Sequence, residues 1–248
     1  MGEVRLKVEL LRHTPEPEEA VAMGAKLCYS AAHIDALKEA TPEKRAEFIR
    51  RLVEMGHLSP IEHAIYTFGV EGVSRALLAQ VTRHRIASFS VQSQRYVSQR
   101  ALEDTFGYVV PPSIRELGAS HVEKFEDQMR TLQRWYNEWA DLLGGKGEKA
   151  NEDARFVLPN ACETRFILTM NARELLHFFR LRCCNRAQWE IRAMAWRMLE
   201  LCLQTAPNLF AGAGPSCIGG GCAEGNLSCG QAGDVRQRHR RLAQGASI

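Results

Sequence analysis

The chain has 248 residues, of which 45% are hydrophobic and 25% charged, and these ordinary globular values argue against disorder, a collagen-like repeat or a coiled coil. Its 32 Lys and Arg against 29 Asp and Glu leave a net charge of +3, too small to indicate a nucleic-acid partner by itself. No apolar run approaches the roughly 20 residues that cross a bilayer, and the start lacks the basic-then-apolar layout of a secretory signal. We therefore expect a soluble cytoplasmic protein with no membrane partner.

The eight cysteines do not resemble a secreted disulfide framework, and most lie in apolar or helical stretches where buried free thiols are expected. Cys217, Cys222 and Cys229 lie in a glycine-rich tail at spacings of five and seven residues. This spacing is irregular for a zinc site, even with His239 as a fourth ligand, so we expect no metal.

In the first half of the chain, alternating apolar and charged residues predict a strand near residues 4–10. Helical spacing and capping residues then predict helices over 14–29 and 42–56. A strand through residues 65–70 follows, and Ser74 is expected to cap the next helix. The serine-rich segment 88–98 is too polar for a core element.

In the second half, one long helix is predicted over residues 113–143, and shorter elements follow it. These are a helix at 147–157, a strand at 163–170, and helices at 171–182 and 187–204. The uneven intervals between strands favour an α+β fold over a doubly wound one. We expect one domain over 1–210 and a tail over 211–248, whose basic end is typical of a flexible, solvated segment.

The common nucleotide-binding and hydrolase motifs are absent from the sequence. It contains no G-x-G-x-x-G, P-loop, H-E-x-x-H or G-x-S-x-G pattern. A bound nucleotide would therefore need side chains and unpatterned backbone amides to hold its phosphates.

Arginines are concentrated in two blocks that suit this role. The first is Arg83-His84-Arg85, followed by a segment rich in Ser and Gln; the second lies between residues 155 and 192. Guanidinium groups bind phosphate in a bidentate manner, although solvated helix ends and surface ion pairs are the ordinary alternative. Two cationic clusters in one small domain favour anion binding.

A third polar segment runs from Gly56 to His63. His57 and His63 are six residues apart and do not share a helical face, so a metal site with Glu62 is weakly indicated. A loop that contacts a ligand is the better interpretation.

Together these motifs resemble the flavin-dependent thymidylate synthase family. Residues 83–93 fit R-H-R, seven residues, S, and residues 56–63 are similar to G-H-x-[ST]-P-x-E-H. Residues 171–175, 181–182 and 187–191 are similar to the C-terminal signature of the family. Three motifs in the right order make the resemblance specific.

The resemblance implies an FAD enzyme that methylates dUMP to dTMP, with 5,10-methylenetetrahydrofolate as carbon donor and NADPH as reductant. Hydride would pass from flavin N5 to uracil C6, so no enzyme nucleophile is required. It also implies an antiparallel sheet flanked by long helices, in a homotetramer whose active sites lie at subunit interfaces.

The resemblance also assigns site residues by position. The cofactor would contact His57, Ser59, Arg83, His84, Arg85, Val91, Asn171, Arg173 and His177. dUMP would be held by Gln80, Arg83, Gln92, Ser93, Gln94, Arg95, Arg155 and Arg182. Arg182 would be the catalytic residue, stabilising negative charge on the uracil ring.

The sequence departs from the family just before the motif serine, where Val91 and Gln92 replace the usual carboxylate. Two other classes of function remain open. A nucleic-acid-binding protein would use the arginine blocks and the basic tail, and a metal-dependent hydrolase would use His57, Glu62 and His63.

Overall fold

The computed structural model describes residues 2–31, 33–37, 41–101 and 104–245. Its strands are β1 (Gly2–Glu3), β2 (Lys7–His13), β3 (Ile65–Ser74), β4 (Ser88–Val91), β5 (Gly107–Tyr108) and β6 (Glu163–Asn171). Its helices are α1 (Pro17–Tyr29), α2 (Pro42–Glu54), α3 (Arg75–Val81), α4 (Pro112–Glu116), α5 (Ala119–Leu142), α6 (Glu148–Ala154), α7 (Ala172–Arg182), α8 (Trp189–Thr205) and α9 (Ala232–Ala243). The predicted α+β class is confirmed.

The chain forms two compact units. The first unit comprises Met1–Lys7, Val70–Arg83 and Phe89–Ile167. The second unit comprises Val8–Gly69, His84–Ser88 and Leu168–Ile248.

Four strands form an antiparallel sheet in the order β2-β3-β6-β4, so β4 is an edge strand. In the second unit, the Ala172 amide donates to the Ala64 carbonyl at 2.8 Å, and the hydroxyls of Thr67 and Thr169 lie 2.9 Å apart. In the first unit, β1 and β5 pair in parallel, although the sequence predicts neither of these two-residue strands.

Side-chain caps define the starts of three predicted helices. The Thr41, Ser74 and Asn171 side chains accept hydrogen bonds from the backbone amides of Lys44, Leu77 and Glu174 at the starts of α2, α3 and α7. Each cap satisfies an amide that the first helical turn leaves without a partner. The predicted cap at Ser74 is confirmed.

Two helices differ from their predicted bounds: one is divided into two, and the other begins later. The single helix expected over 113–143 is wrong, because Gly118 adopts a φ of 104°, outside the helical region, and separates α4 from α5. The helix expected from residue 14 begins at Pro17. Thr14 instead pairs with Ile65, exchanging backbone and hydroxyl hydrogen bonds of 2.9 Å.

The serine-rich segment contributes a strand despite its polarity. Ser88 and Ser90 are exposed in β4, whereas Phe89 and Val91 are half-buried, and the Phe89 ring lies 6.4 Å from that of Phe166. This alternation is the pattern of a half-buried edge strand.

The basic end is helical rather than a flexible, solvated segment. Val235, His239 and Leu242 recur at spacings of four and three and form the buried face of α9. The Arg238 guanidinium lies 4.6 Å from the centre of the Trp196 ring on α8. This part of the prediction is therefore wrong for Ala232–Ala243, and residues 246–248 lie outside the described ranges.

Each unit has its own apolar core. In the first unit, Tyr108, Met129 and Cys162 belong to one buried cluster, and Tyr136 belongs to another. In the second unit, the rings of Tyr66, Phe210, Phe179, Phe178 and His84 form a chain of neighbouring contacts, with centroids 4.9–6.1 Å apart. Over the described ranges, no helix combines the length and apolar character that a membrane span needs.

Candidate active site

The Arg83-His84-Arg85 turn points its three side chains into different environments. Both arginines are exposed, whereas the imidazole of His84 is only 5% exposed. The ring of Phe178 packs edge-on against His84 with a centroid separation of 4.9 Å. The turn therefore presents cations to solvent and anchors itself through a buried histidine.

Helix α7 separates apolar and polar residues by its periodicity. Leu175, Phe178 and Phe179 are buried, whereas Arg173, His177 and Arg180 are exposed, at spacings of four and three. The Asn171 side chain caps the first turn, so the helix begins at Ala172. The exposed face carries the cationic side chains that anion binding requires.

This exposed face of α7 borders a pocket of about 600 Å³ in the second unit, within the size range of ligand sites. Apolar, cationic and acidic groups converge there. The lining residues are Leu58, Glu62, Ile86, Asn171, Arg173, Glu174, Leu176, His177 and Arg180. Three predicted cofactor residues, Asn171, Arg173 and His177, are thus brought together.

Two other predicted cofactor residues of the second unit are next to pocket-lining residues in the sequence. Arg85 precedes Ile86, and Ser59 follows Leu58 in an exposed position just before the 3-10 turn Pro60–His63. His57 is also exposed, and its Nδ1 lies 2.6 Å from the hydroxyl of Tyr29.

An ion pair crosses the pocket lining. Arg173 Nη1 donates to Glu62 Oε1 at 2.6 Å, with both side chains about half exposed. Such exposed pairs contribute little to stability because solvent screens them. The pair instead restrains Arg173 near the Pro60–His63 turn.

A hydrogen-bonded chain lies on the inner side of α7. His84 Nδ1 is 3.0 Å from Glu174 Oε1, and Arg182 Nε donates to His84 Nε2 at 3.0 Å. Burial lowers the pKa of His84, as does the Arg182 charge, whereas the hydrogen bond to Glu174 acts in the opposite direction. No sequence pattern marks Glu174 as a site residue, because an acidic residue in the first turn of a helix is common.

Acidification should destabilise the protein through His84. Its folded-state pKa lies below the ordinary value of 6.5, so the unfolded chain binds the proton first. The stability that neutral His84 provides is present above 6.5 and is lost as pH falls through the folded-state pKa. We expect the urea midpoint to fall more steeply for the wild type than for His84→Gln between about pH 7.5 and about pH 5. Parallel curves would contradict this assignment.

The predicted dUMP residues other than Arg182 lie in the first unit, on several elements. Gln80 is half-buried on α3, and the exposed Arg83 follows that helix. Val91, which was assigned to the cofactor, ends β4 in the same unit, and the backbone amide of Gln92 donates to the Arg165 carbonyl at 2.9 Å. Arg155 follows α6 and donates from Nε to the Glu152 carbonyl at 3.1 Å.

The segment around Ser93 forms a turn. The Ser93 hydroxyl oxygen accepts from the backbone amides of Arg95 and Tyr96 at 3.2 and 3.4 Å. Gln94 Nε2 donates to the Cys162 sulfur at 3.4 Å. The turn orients the Ser93 hydroxyl, whose hydrogen can still be donated to a ligand.

Arg95 is bound by acidic residues of α6. Its guanidinium pairs with Glu148 and, through Nε at 2.9 Å, with Glu152. These contacts leave Arg95 about half exposed. A phosphate group would compete with two carboxylates for this guanidinium.

The structure does not support the hydrolase interpretation. His57 contacts Tyr29 and Glu62 pairs with Arg173, and within the described ranges the only cluster with metal-ligand geometry is His84, Glu174 and His177. Both ring nitrogens of His84 already have protein partners, Glu174 and Arg182.

Comparisons with known proteins agree with this geometry. Residues 9–208 match the family model described as thymidylate synthase complementing protein. A flavin-dependent thymidylate synthase of Geobacter sulfurreducens is 49% identical over 96% of this chain and 100% of its own length. Those of Clostridium tetani and Sulfolobus acidocaldarius are 48% and 42% identical, over 94% and 86% of this chain and 96% and 78% of their own lengths. The resemblance read from the motifs is confirmed, and the chain belongs to the flavin-dependent thymidylate synthase family.

Proposed function

We propose that this chain methylates dUMP to dTMP reductively, with FAD as cofactor, 5,10-methylenetetrahydrofolate as carbon donor and NADPH as reductant. The family membership supports the reaction. The main structural support is that Asn171, Arg173 and His177 line one pocket. The motifs assign all three of these residues to the flavin.

The chemistry of the pocket lining fits FAD. Leu58, Ile86 and Leu176 offer apolar surface to a flat ring system, and Arg173 and Arg180 offer guanidinium groups to a pyrophosphate. The side-chain carbonyl oxygen of Asn171 caps α7. The NH2 group of the same side chain therefore stays available as a hydrogen-bond donor. When bound, FAD supplies the hydride that uracil C6 accepts.

Arg182 has the electrostatic role in this proposal. Uracil acquires negative charge as C6 accepts hydride, and a guanidinium at the ring edge stabilises that charge. Arginine stays protonated at every working pH, so this stabilisation needs no proton transfer.

The remaining dUMP residues bind its phosphate and sugar. The Ser93 hydroxyl donates its hydrogen to the phosphate. Its oxygen accepts hydrogen bonds from the backbone amides of the turn, which hold the hydroxyl in place. Arg95 and Arg155 provide charge, and Gln80, Gln92 and Gln94 provide amide groups. Gln92 would supply hydrogen bonds where the family usually has a carboxylate.

Ser93→Ala should mainly weaken dUMP binding. Loss of one hydrogen bond to a charged phosphate raises the KM for dUMP by about 10- to 100-fold, with a smaller change in kcat. The matched control is Ser120→Ala on α5, an exposed serine of the same unit, which should leave both constants unchanged. Loss of all turnover at saturating dUMP would instead indicate a covalent role for Ser93.

The decisive experiment is an anaerobic single-turnover assay. Purified protein loaded with FAD is reduced, mixed with dUMP and 5,10-methylenetetrahydrofolate, and scored for dTMP. We expect a yellow protein and one dTMP per reduced flavin. Colourless protein that retards nucleic acid in a salt-dependent way would support the nucleic-acid alternative, which the comparisons do not favour.

The proposal includes a homotetramer with active sites where subunits meet. Trp135, Trp139 and Leu142 recur along α5 at spacings of four and three, and each is at least half exposed. An exposed apolar stripe of this kind is typical of a surface that another protein covers. A second copy of this chain is the partner that a homotetramer requires.

Trp139→Glu should disrupt this assembly. The carboxylate would be buried without a partner at the subunit contact, so light scattering should show a mass below four chains. Glu123→Gln changes charge on the opposite side of α5 and should keep the tetramer. A tetrameric Trp139→Glu variant would place the interface elsewhere.

A cytoplasmic location completes the proposal. All eight cysteines are free thiols, which supports a reducing compartment.

A further inference from the structure

Glu174, His84 and Arg182 form a buried polar chain inside the second unit. Glu174 and His84 are 7% and 5% exposed, so their mutual contact is shielded from water. The two contacts of His84, to Glu174 Oε1 and from Arg182 Nε, are both 3.0 Å long. A buried network of this kind is expensive unless each of its members is satisfied.

The hydrogen-bonding rules fix the protonation of this chain. A guanidinium only donates, so His84 Nε2 must accept from Arg182 and carries no hydrogen. His84 is therefore a neutral imidazole with its hydrogen on Nδ1, which donates to the Glu174 carboxylate. Proximity to the Arg182 charge favours the same neutral form.

The geometry of α7 explains why a bridge is needed. Glu174 and Arg182 are eight residues apart on this helix, a rise of about 12 Å, which is well beyond the three- or four-residue spacing at which helical side chains ordinarily pair. Arg182 is also the last residue of α7, where helices fray and side chains are least constrained. His84, from a turn about ninety residues earlier, connects the two positions.

We infer that Glu174 and His84 are positioning residues that hold the Arg182 guanidinium in its working orientation. Glu174 fixes the imidazole tautomer, and the imidazole in turn fixes Arg182 Nε and therefore the plane of the guanidinium. The inference rests on the proposed function, in which that guanidinium stabilises the uracil ring. It adds to the cofactor role assigned to His84 from the motifs: both ring nitrogens contact protein, so a contact with the flavin would use other atoms of this residue.

The size of the effect follows from comparable arrangements. Carboxylate–histidine pairs that orient a metal ligand typically change affinity or activity by 10- to 100-fold when they are broken. A wrong tautomer is worse than a lost contact, because an Nε2 hydrogen would face the Arg182 Nε hydrogen.

Two substitutions at His84 separate its two contacts. The His84→Gln amide reaches the position of Nε2, so its carbonyl can still accept from Arg182. The His84→Asn amide reaches only the position of Nδ1, so it can still donate to Glu174 but loses Arg182. We expect His84→Gln to keep kcat within about 10-fold of wild type, and His84→Asn to lose a further 10- to 100-fold.

The rates are measured with the full chain, per mole of bound FAD, at saturating dUMP. In both variants kcat should fall more than the KM for dUMP rises, because orientation matters most when charge develops on the ring. If the kcat of His84→Asn were equal to or higher than that of His84→Gln, the inference would be overturned. A wild type that makes no dTMP would instead overturn the proposed function.

A spectroscopic test does not depend on catalysis. In histidine-15N-labelled protein without flavin, the His84 signals, identified by their loss in His84→Gln, should show a neutral ring with hydrogen on Nδ1 at about pH 7. Glu174→Leu removes the acceptor but approximately keeps the size, and should reduce the population of that tautomer. A protonated ring, an Nε2 hydrogen, or no change in Glu174→Leu would overturn the inference.

Discussion

Arg182→Ala should lower dTMP formation by about 100- to 1000-fold while FAD remains bound. Removing one preorganised charge from the developing negative charge typically has an effect of this size. The pocket proposed to hold the flavin is lined by Arg173 and Arg180 rather than by Arg182, so flavin absorbance per chain should not change. The rate is measured in single turnover with reduced enzyme, which excludes effects on NADPH oxidation.

Two further variants make this result interpretable. Arg182→Lys keeps the charge but loses the planar group whose Nε donates to His84, so it should recover only part of the rate. Arg130→Ala removes an exposed arginine that pairs with Asp127 on α5, and should behave as wild type. If Arg182→Ala turned over like wild type, the catalytic assignment would be wrong.

Gly72→Ala should lower the free energy of unfolding by about 4 kcal/mol, at the upper end of single-site effects. A Cβ at Gly72 would lie 1.8 Å from the Arg5 carbonyl oxygen. Neither atom can move away without a shift of the backbone. The φ of Gly72 is 69°, in a region that an alanine adopts only with strain. Chemical denaturation of the two proteins gives the difference.

Gly233→Ala is the matched control for this stability measurement. Its added Cβ meets nothing within 4 Å, and its backbone needs no special conformation. The free energy of unfolding should stay within about 0.5 kcal/mol of wild type. If both variants were equally stable, β3 would have to shift away from Arg5 at little cost.

The elements predicted from sequence are those whose signals are local. Helix α7 covers Ala172–Arg182, close to the predicted 171–182, because helical periodicity lies within the segment. The division between α4 and α5 is not predicted because a single glycine, Gly118, within a helical pattern gives no signal of its φ of 104°. The parallel pairing of β1 with β5 joins residues about a hundred positions apart, which no local pattern encodes.

The candidate site was predicted from motifs, and its internal organisation was not. The motifs assigned Asn171, Arg173 and His177 to the flavin, and these residues do line one pocket. They also assigned His84 to the flavin, although packing against Phe178 and pairing with Glu174 bury it. Both of these contacts lie ninety or more residues along the chain, so the spacing of the R-H-R motif could not reveal them.

The contact between Arg238 and Trp196 has a practical consequence for anyone who shortens the protein. Trp196 is 1% exposed, and α9 supplies the cation that stacks on it. A chain cut after residue 210 would uncover this indole, and newly exposed aromatic surface promotes self-association. Truncated versions should therefore be screened for aggregation on storage before any loss of turnover is attributed to chemistry.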